Sequence, residues 1–245
     1  MSSNRLLLCR TARNSNRGGF TLVELLVVIG IIAILASVAL GPITHGLESA
    51  QESAGMQTAR TIGLSEFQYN TDNNAYPSST GGKSQDIMSA LVTGSYISDP
   101  GIFAKSKGVA YSGTITAQNL SSAPSSTICW DFFQEAAVPP STTPSGLSTS
   151  DPDGIPVVFS TGQNITCPTQ GPGNVVTLNQ AAAHPNPFGV NGMAVCFKSN
   201  SAQFLKGTNT GTGGIYTVND KPANYLFSPS FSIANSSLYA QVVPQ

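Results

Sequence analysis

The chain has 245 residues, of which only 9% are Asp, Glu, Lys or Arg, against about a quarter in ordinary soluble domains. Length admits one large domain or two small ones, and the Ser, Thr, Asn and Gly that replace charge suit a surface-displayed protein better than a cytosolic enzyme. The formal net charge of −1 hides an asymmetry: Arg5, Arg10, Arg13 and Arg17 stand in a stretch with no acidic residue, and the rest of the chain is acidic. An acidic remainder lacks the basic stripe that neutralises phosphates, so no nucleic-acid partner is expected.

Residues 1–19 read as a basic leader. Residues 20–40 follow as FTLVELLVVIGIIAILASVAL, 21 residues with one charge, Glu24. A helix of that length rises roughly 30 Å, the thickness of a bilayer's hydrocarbon core, and it is apolar on every face, unlike a helix buried in a soluble domain. The arginines ahead of it predict a cytoplasmic N-terminus and a translocated remainder. Ser37-Val38-Ala39 also fits the small-x-small pattern of a secretory signal, but the apolar run exceeds the roughly 7–15 residues of such a signal. A plain signal anchor is the other reading, and it leaves Glu24 unused.

A carboxylate inside a membrane helix costs a few kcal/mol and is usually paired and functional. Positions 20, 21, 27 and 28 are Phe, Thr, Val and Val, so no basic side chain lies one turn away. Cleavage between Gly19 and Phe20 would create a cation, the Phe20 amine, four residues upstream. A neighbouring subunit's amine can also reach, and such a pair adds little net stability yet sets register.

Gly19-Phe20-Thr21-Leu22-Val23-Glu24, after a basic leader and before a long apolar run, resembles the class III signal of type IV prepilins and type II secretion pseudopilins. The resemblance implies cleavage after Gly19 by a prepilin peptidase, methylation of the new N-terminal Phe20, and pairing of Glu24 with an adjacent subunit's N-terminus. It implies identical or related pilin subunits and an inner-membrane assembly platform as further partners. The precursor would lie in the bacterial inner membrane with a periplasmic head, then join a pilus or pseudopilus. Pro42, after Gly41, resembles the family's helix-breaking proline, one residue later than usual. By its missing donor and its clash with the preceding turn, it predicts a kink or loosening at Gly41-Pro42.

Beyond Pro42, Ile43, Leu47, Ala50 and Ala54 recur at helical spacing, and Ile62, Ser65 and Tyr69 extend the stripe. This predicts an amphipathic continuation to about Asn70 with that stripe buried and Glu48, Glu52 and Glu66 solvated. Turn formers from Asp72 to Pro77 stop the helix, because Pro77 forces its predecessor out of helical space. This stretch is similar to the end of the long helix in pseudopilin-like proteins. A short helix is expected from Ser84. Residues 111–127 and 139–153 read as Ser/Thr/Pro/Gly-rich loops. Strand-like runs lie at 155–159, 175–178, 193–197 and 203–205, the last two forming a hairpin across Ser199-Asn200-Ser201. Residues 216–243 add one or two edge strands.

Enzymatic motifs are absent: there is no nucleophile elbow, metalloprotease signature, phosphate loop or dinucleotide fingerprint. His45 and His184 are the only histidines, and neither has a partner pattern for catalysis. Asp151-Pro152-Asp153-Gly154 and Asp220 are weak calcium candidates, short of the six to eight oxygens the ion takes; DPDG is more simply a turn. Cys9 leaves with the leader. Cys129, Cys167 and Cys196 permit one disulfide with three pairings, although Cys196, in a predicted strand, also reads as a buried apolar residue.

The expectation is an α+β, pilin-like fold: leader 1–19, transmembrane helix half 20–42, amphipathic half 43–75, and a loop-rich β head 76–245 on a small antiparallel sheet. Function is expected to be structural, as a filament subunit. The alternative is a membrane-anchored or secreted binding protein that does not polymerise.

Overall fold

The computed structural model describes residues 19–104, 115–137, 141–151, 153–160, 176–177, 187–188, 192–206, 214–215, 239–243 and 245. Most of the leader, Cys167, His184 and Asp220 lie outside the described residues. Two compact units divide the chain, residues 1–47 and 48–245.

Helix α1 (Leu22–Asn73) carries the first unit and continues into the second. In the first unit every residue from 19 to 47 is exposed, including apolar side chains such as Leu22, Ile34 and Val38. Pro42 lies inside α1 and does not interrupt it. A proline here forfeits the hydrogen bond to the carbonyl one turn earlier, and Thr44 Oγ1 donates to the Gly41 carbonyl at 2.8 Å beside it. The helix ends at Asn73, where Asn74 takes a left-handed conformation with φ 58°. Asparagine tolerates that cap, and Pro77 follows, so the expected stop is found.

In the second unit the buried face of α1 is Ala59, Ile62, Gly63, Ser65, Glu66 and Asn70. This corrects the expected stripe at both ends. Ile43, Leu47, Ala50 and Ala54 are exposed, and Glu66, expected in solvent, is buried to 1% exposure. Spacing defines which residues share a face, but not which face meets the sheet. The close approach is made by Gly63: a Cβ there would stand 2.5 Å from Cys196 Sγ and 3.4 Å from Val157 Cγ2.

The main sheet has five strands, all antiparallel, in the order β5-β4-β2-β1-β7. They are β1 (Trp130–Glu135), β2 (Pro156–Ser160), β4 (Gly192–Phe197), β5 (Ala202–Lys206) and β7 (Tyr239–Val242); a separate pair joins β3 (Val176–Thr177) to β6 (Gly214–Ile215). Strands β2 and β4 are buried at every position, the burial of a sheet covered on both faces. Edge strand β5 is half-buried. The β4–β5 hairpin turns as expected. Asn200 N–H donates to Phe197 O at 2.8 Å and Phe197 N–H to Ser201 O at 2.9 Å, with Asn200 at φ 59°. Asparagine thus takes the left-handed position that glycine usually fills in a three-residue hairpin.

Strand β1 was not among the expected elements. Its WDFFQE mixes apolar and polar residues without period two, yet it is the strand to which both β2 and β7 pair. The 111–127 loop also contains two 3-10 turns, Leu120–Ser122 and Ser125–Thr127, with Leu120 buried.

Helix α2 (Ser84–Thr93) starts where expected and buries Ile87, Met88 and Leu91. It closes with Ser95 at φ 62°; Tyr96 N–H donates to Leu91 O and Ser95 N–H to Val92 O, the paired bonds of a Schellman ending. Tyr96 then packs edge-on against Tyr69 of α1 at 5.4 Å, and its hydroxyl donates to Asp72 at 2.9 Å. The link between α1 and α2 is sewn to β1 by Gln134, whose side-chain amide exchanges two bonds with the Ser79 backbone at 2.7 and 3.0 Å.

Candidate functional site

Gly19 and Phe20 lie ahead of the first helical residue, and both are exposed, Phe20 to 81%. A side chain built on Gly19 would meet nothing within 4 Å, so the peptide bond between them stands in open, non-helical chain. What holds the helix away from it is Thr21. Its backbone N–H and its Oγ1 both donate to Glu24 Oε2 at 2.8 Å, and Glu24 N–H donates back to Thr21 Oγ1 at 3.2 Å. This is a reciprocal capping box, which satisfies orphan donors at a helix start. The sequence reading gave Glu24 a role and left Thr21 without one; the Thr-x-x-Glu spacing was the available signal.

Both Thr21 bonds converge on one carboxylate oxygen. Glu24 Oε1 makes no hydrogen bond among the described residues, and the carboxylate sits in the first turn, where the helix dipole favours negative charge. The geometry therefore has two parts: a cap that orients the carboxylate, and a second oxygen open to a partner. Behind it, α1 is long and apolar enough to cross a membrane, and none of its most apolar window is buried within the protein.

The other candidate residues fall elsewhere. Cys129 and Cys196 are both buried free thiols. Cys129 immediately precedes β1 and Cys196 lies in β4, on opposite sides of β2. At about 4.8 Å per strand they are roughly 10 Å or more apart, beyond the about 7 Å limit of a disulfide's Cα separation. Burial pushes each thiol up to about 12, so neither carries the thiolate that reactivity needs. Cys196 is, as its strand position allowed, a buried apolar residue.

The loop bearing Asp151 and Asp153 already holds a cation, the Lys198 ammonium. Lys198 Nζ donates to the Thr149 carbonyl at 2.9 Å and to the Asp151 carbonyl, while Asp151 Oδ2 accepts the Ser148 N–H at 2.7 Å. No group of three or more His, Cys, Asp or Glu side chains comes together among the described residues.

Buried Glu66 is the residue that sequence reasoning misplaced. Burial raises its carboxyl well above the ordinary range, and its Oε1 has no hydrogen-bond partner. Tyr76 beside it is pushed up to about 12, first by burial and then by the charges of Glu66, Cys196 and Asp153.

The family model of the prokaryotic N-terminal methylation motif matches residues 14–40, the span that contains the exposed Gly19–Phe20 bond, the capping box and the apolar helix start. No curated protein and no solved structure matches the chain. The motif implies processing by a prepilin peptidase and pilin–pilin assembly in general, and with the apolar helix it fits anchoring in the inner membrane. The chain thus carries at its N-terminus a prepilin-type signal, the signal of type IV pilins and pseudopilins.

Proposed function

We propose that the chain is the precursor of a filament subunit. It is cut between Gly19 and Phe20, methylated on the Phe20 amine, and polymerised through α1 into a type IV pilus-like or type II secretion pseudopilus filament. Before assembly, residues 20–42 hold it in the inner membrane with the leader in the cytoplasm and the head in the periplasm. Its partners are other pilin subunits, the prepilin peptidase and an inner-membrane assembly platform.

The observation that carries this reading is an apolar helix exposed on all sides, interrupted by a single carboxylate that is capped on one oxygen and open on the other. Lipid satisfies the apolar surface first. On leaving the bilayer that surface must be covered again, and neighbouring helices of the same kind do so. Glu24 then loses less by meeting a Phe20 amine than by lying unpaired in an apolar bundle, which fixes the axial stagger.

Mass spectrometry of the mature protein and a fractionation assay for filaments test it together. The mature chain is expected to begin at methylated Phe20. Glu24→Val is expected to insert and be processed but to be missing from the filament fraction. An intact leader, a start at Leu40, or normal incorporation of the Glu24→Val chain would overturn the proposal.

A further inference from the structure

Glu66 lies on the face of α1 that meets the sheet, 1% exposed, with Oε1 unpartnered. One turn on, Asn70 is 6% exposed, and its Oδ1 is also unpartnered. Side chains four residues apart on a helix are neighbours, so two buried oxygens without hydrogen-bond partners share one stretch of the helix face. An ionised carboxylate cannot supply a donor, whereas a protonated carboxyl has one O–H to give.

The surroundings favour the protonated form. Among the described residues, the titratable groups that interact with Glu66 from other elements are the Tyr76 phenol, in the segment after α1, and the Cys196 thiol, in β4. Both are acids, neutral in their buried state, and the charge of Glu66 opposes the ionisation of each. Asp153, ahead of β2, adds a further negative charge that acts on Tyr76. Arg60, on the same helix, is the cation whose influence reaches the cluster, at Cys196, and it is exposed. An unpaired carboxylate in such a place would carry its full desolvation cost.

We propose that Glu66 is housed as a neutral carboxylic acid that donates its proton to Asn70 Oδ1, and that the seating of α1 on the sheet in the second unit depends on that proton. Loss of the proton to solvent leaves a bare charge between α1 and β4, where a Cβ on Gly63 would stand 2.5 Å from Cys196 Sγ, and loosens the contact. The head thereby has a proton-dependent latch. It is independent of the filament reading, since it concerns residues of the second unit alone.

The direction follows from the raised carboxyl. Both folded and unfolded chains are protonated well below the ordinary 4.5. Above it the unfolded chain releases its proton while the folded one keeps it, so stability falls as pH rises, tenfold in the folding equilibrium per pH unit until the folded group ionises. The test uses the full chain in detergent micelles, melted over a pH series, beside Glu66→Gln. The glutamine keeps the shape of the neutral acid and can still donate to Asn70. It is expected to melt higher than the native chain at neutral pH, with the difference between them shrinking toward acid pH. Infrared spectroscopy is expected to show a protonated carboxyl stretch at neutral pH that the Glu66→Gln chain lacks. Asn70→Ala, which removes the acceptor for the neutral form, is expected to shift the loss of that band to lower pH. Identical pH profiles for native and Glu66→Gln chains, or only carboxylate bands in the native chain at neutral pH, would overturn the proposal. Should Glu66→Gln fail to fold, the infrared measurement on the native chain decides alone.

Discussion

Replacing Thr21 by alanine removes two of the three capping-box bonds between Thr21 and Glu24, the hydroxyl donated to Glu24 Oε2 at 2.8 Å and the Glu24 N–H accepted at 3.2 Å. Only the backbone N–H of position 21 still reaches the carboxylate. Loss of an N-cap side chain costs about 1 kcal/mol, within a range of about 0.5–2. With RT near 0.6 kcal/mol, 1 kcal/mol opens the first turn about fivefold more often. Amide hydrogen exchange at Leu25, whose N–H donates to the Thr21 carbonyl at 3.3 Å, is expected to speed up by about that factor when followed by NMR in detergent micelles, and Glu24, which loses its Thr21 Oγ1 acceptor, by at least as much. Exchange further along the apolar helix stays unchanged. Thr21→Ser keeps a hydroxyl with the same reach and is expected to behave as the native chain. In the processing assay, Thr21→Ala is still cut, because Gly19 and Phe20 are already outside the helix, but its Glu24 carboxylate is no longer oriented and incorporation into filaments falls. Unchanged exchange in Thr21→Ala, or equal acceleration in Thr21→Ser, would refute the capping argument.

Two further substitutions probe the head. Gly63→Ala places a methyl 2.5 Å from Cys196 Sγ; overpacking costs about 1–3 kcal/mol, against about 1 kcal/mol gained from helix propensity. The net expectation is a lower melting temperature, partly restored by Cys196→Ala, and a melting temperature above that of the native chain would show that the helix does not approach the sheet there. Lys198→Met keeps the apolar stem and deletes the ammonium that gathers the Thr149 and Asp151 carbonyls. Limited proteolysis is expected to cut the 148–154 loop faster in that variant, and equal rates would contradict the internal-cation role.

Much of the N-terminal third was legible in the chain itself. The length and apolarity of residues 20–40 dictate a helix that water cannot keep in solution, and one carboxylate within it stands out with no fold needed to find it. The stop before Pro77, the start of α2 at Ser84 and the hairpin at Ser199-Asn200-Ser201 were readable for the same reason. Each depends on backbone preferences of a few adjacent residues: the restriction before proline, an apolar patch at helical spacing, the left-handed tolerance of asparagine.

Other features were decided only when distant segments met. β1 carries Trp130, Phe132 and Phe133 beside Asp131 and Gln134, with no alternation to announce a strand. Its role comes from lying between β2 and β7, which pair with both its edges, while its first five residues are buried. The phase of α1 against the sheet was likewise beyond local pattern. Within the second unit Glu66 enters the interior on the same face as Gly63, where a missing side chain admits Cys196. Pairing of Cys129 with Cys196 was open in the sequence and is closed by strand order, which puts β2 between them. Local propensity writes elements and their ends. Which face is buried, and therefore which acid must hold its proton, is a property of the assembled layers.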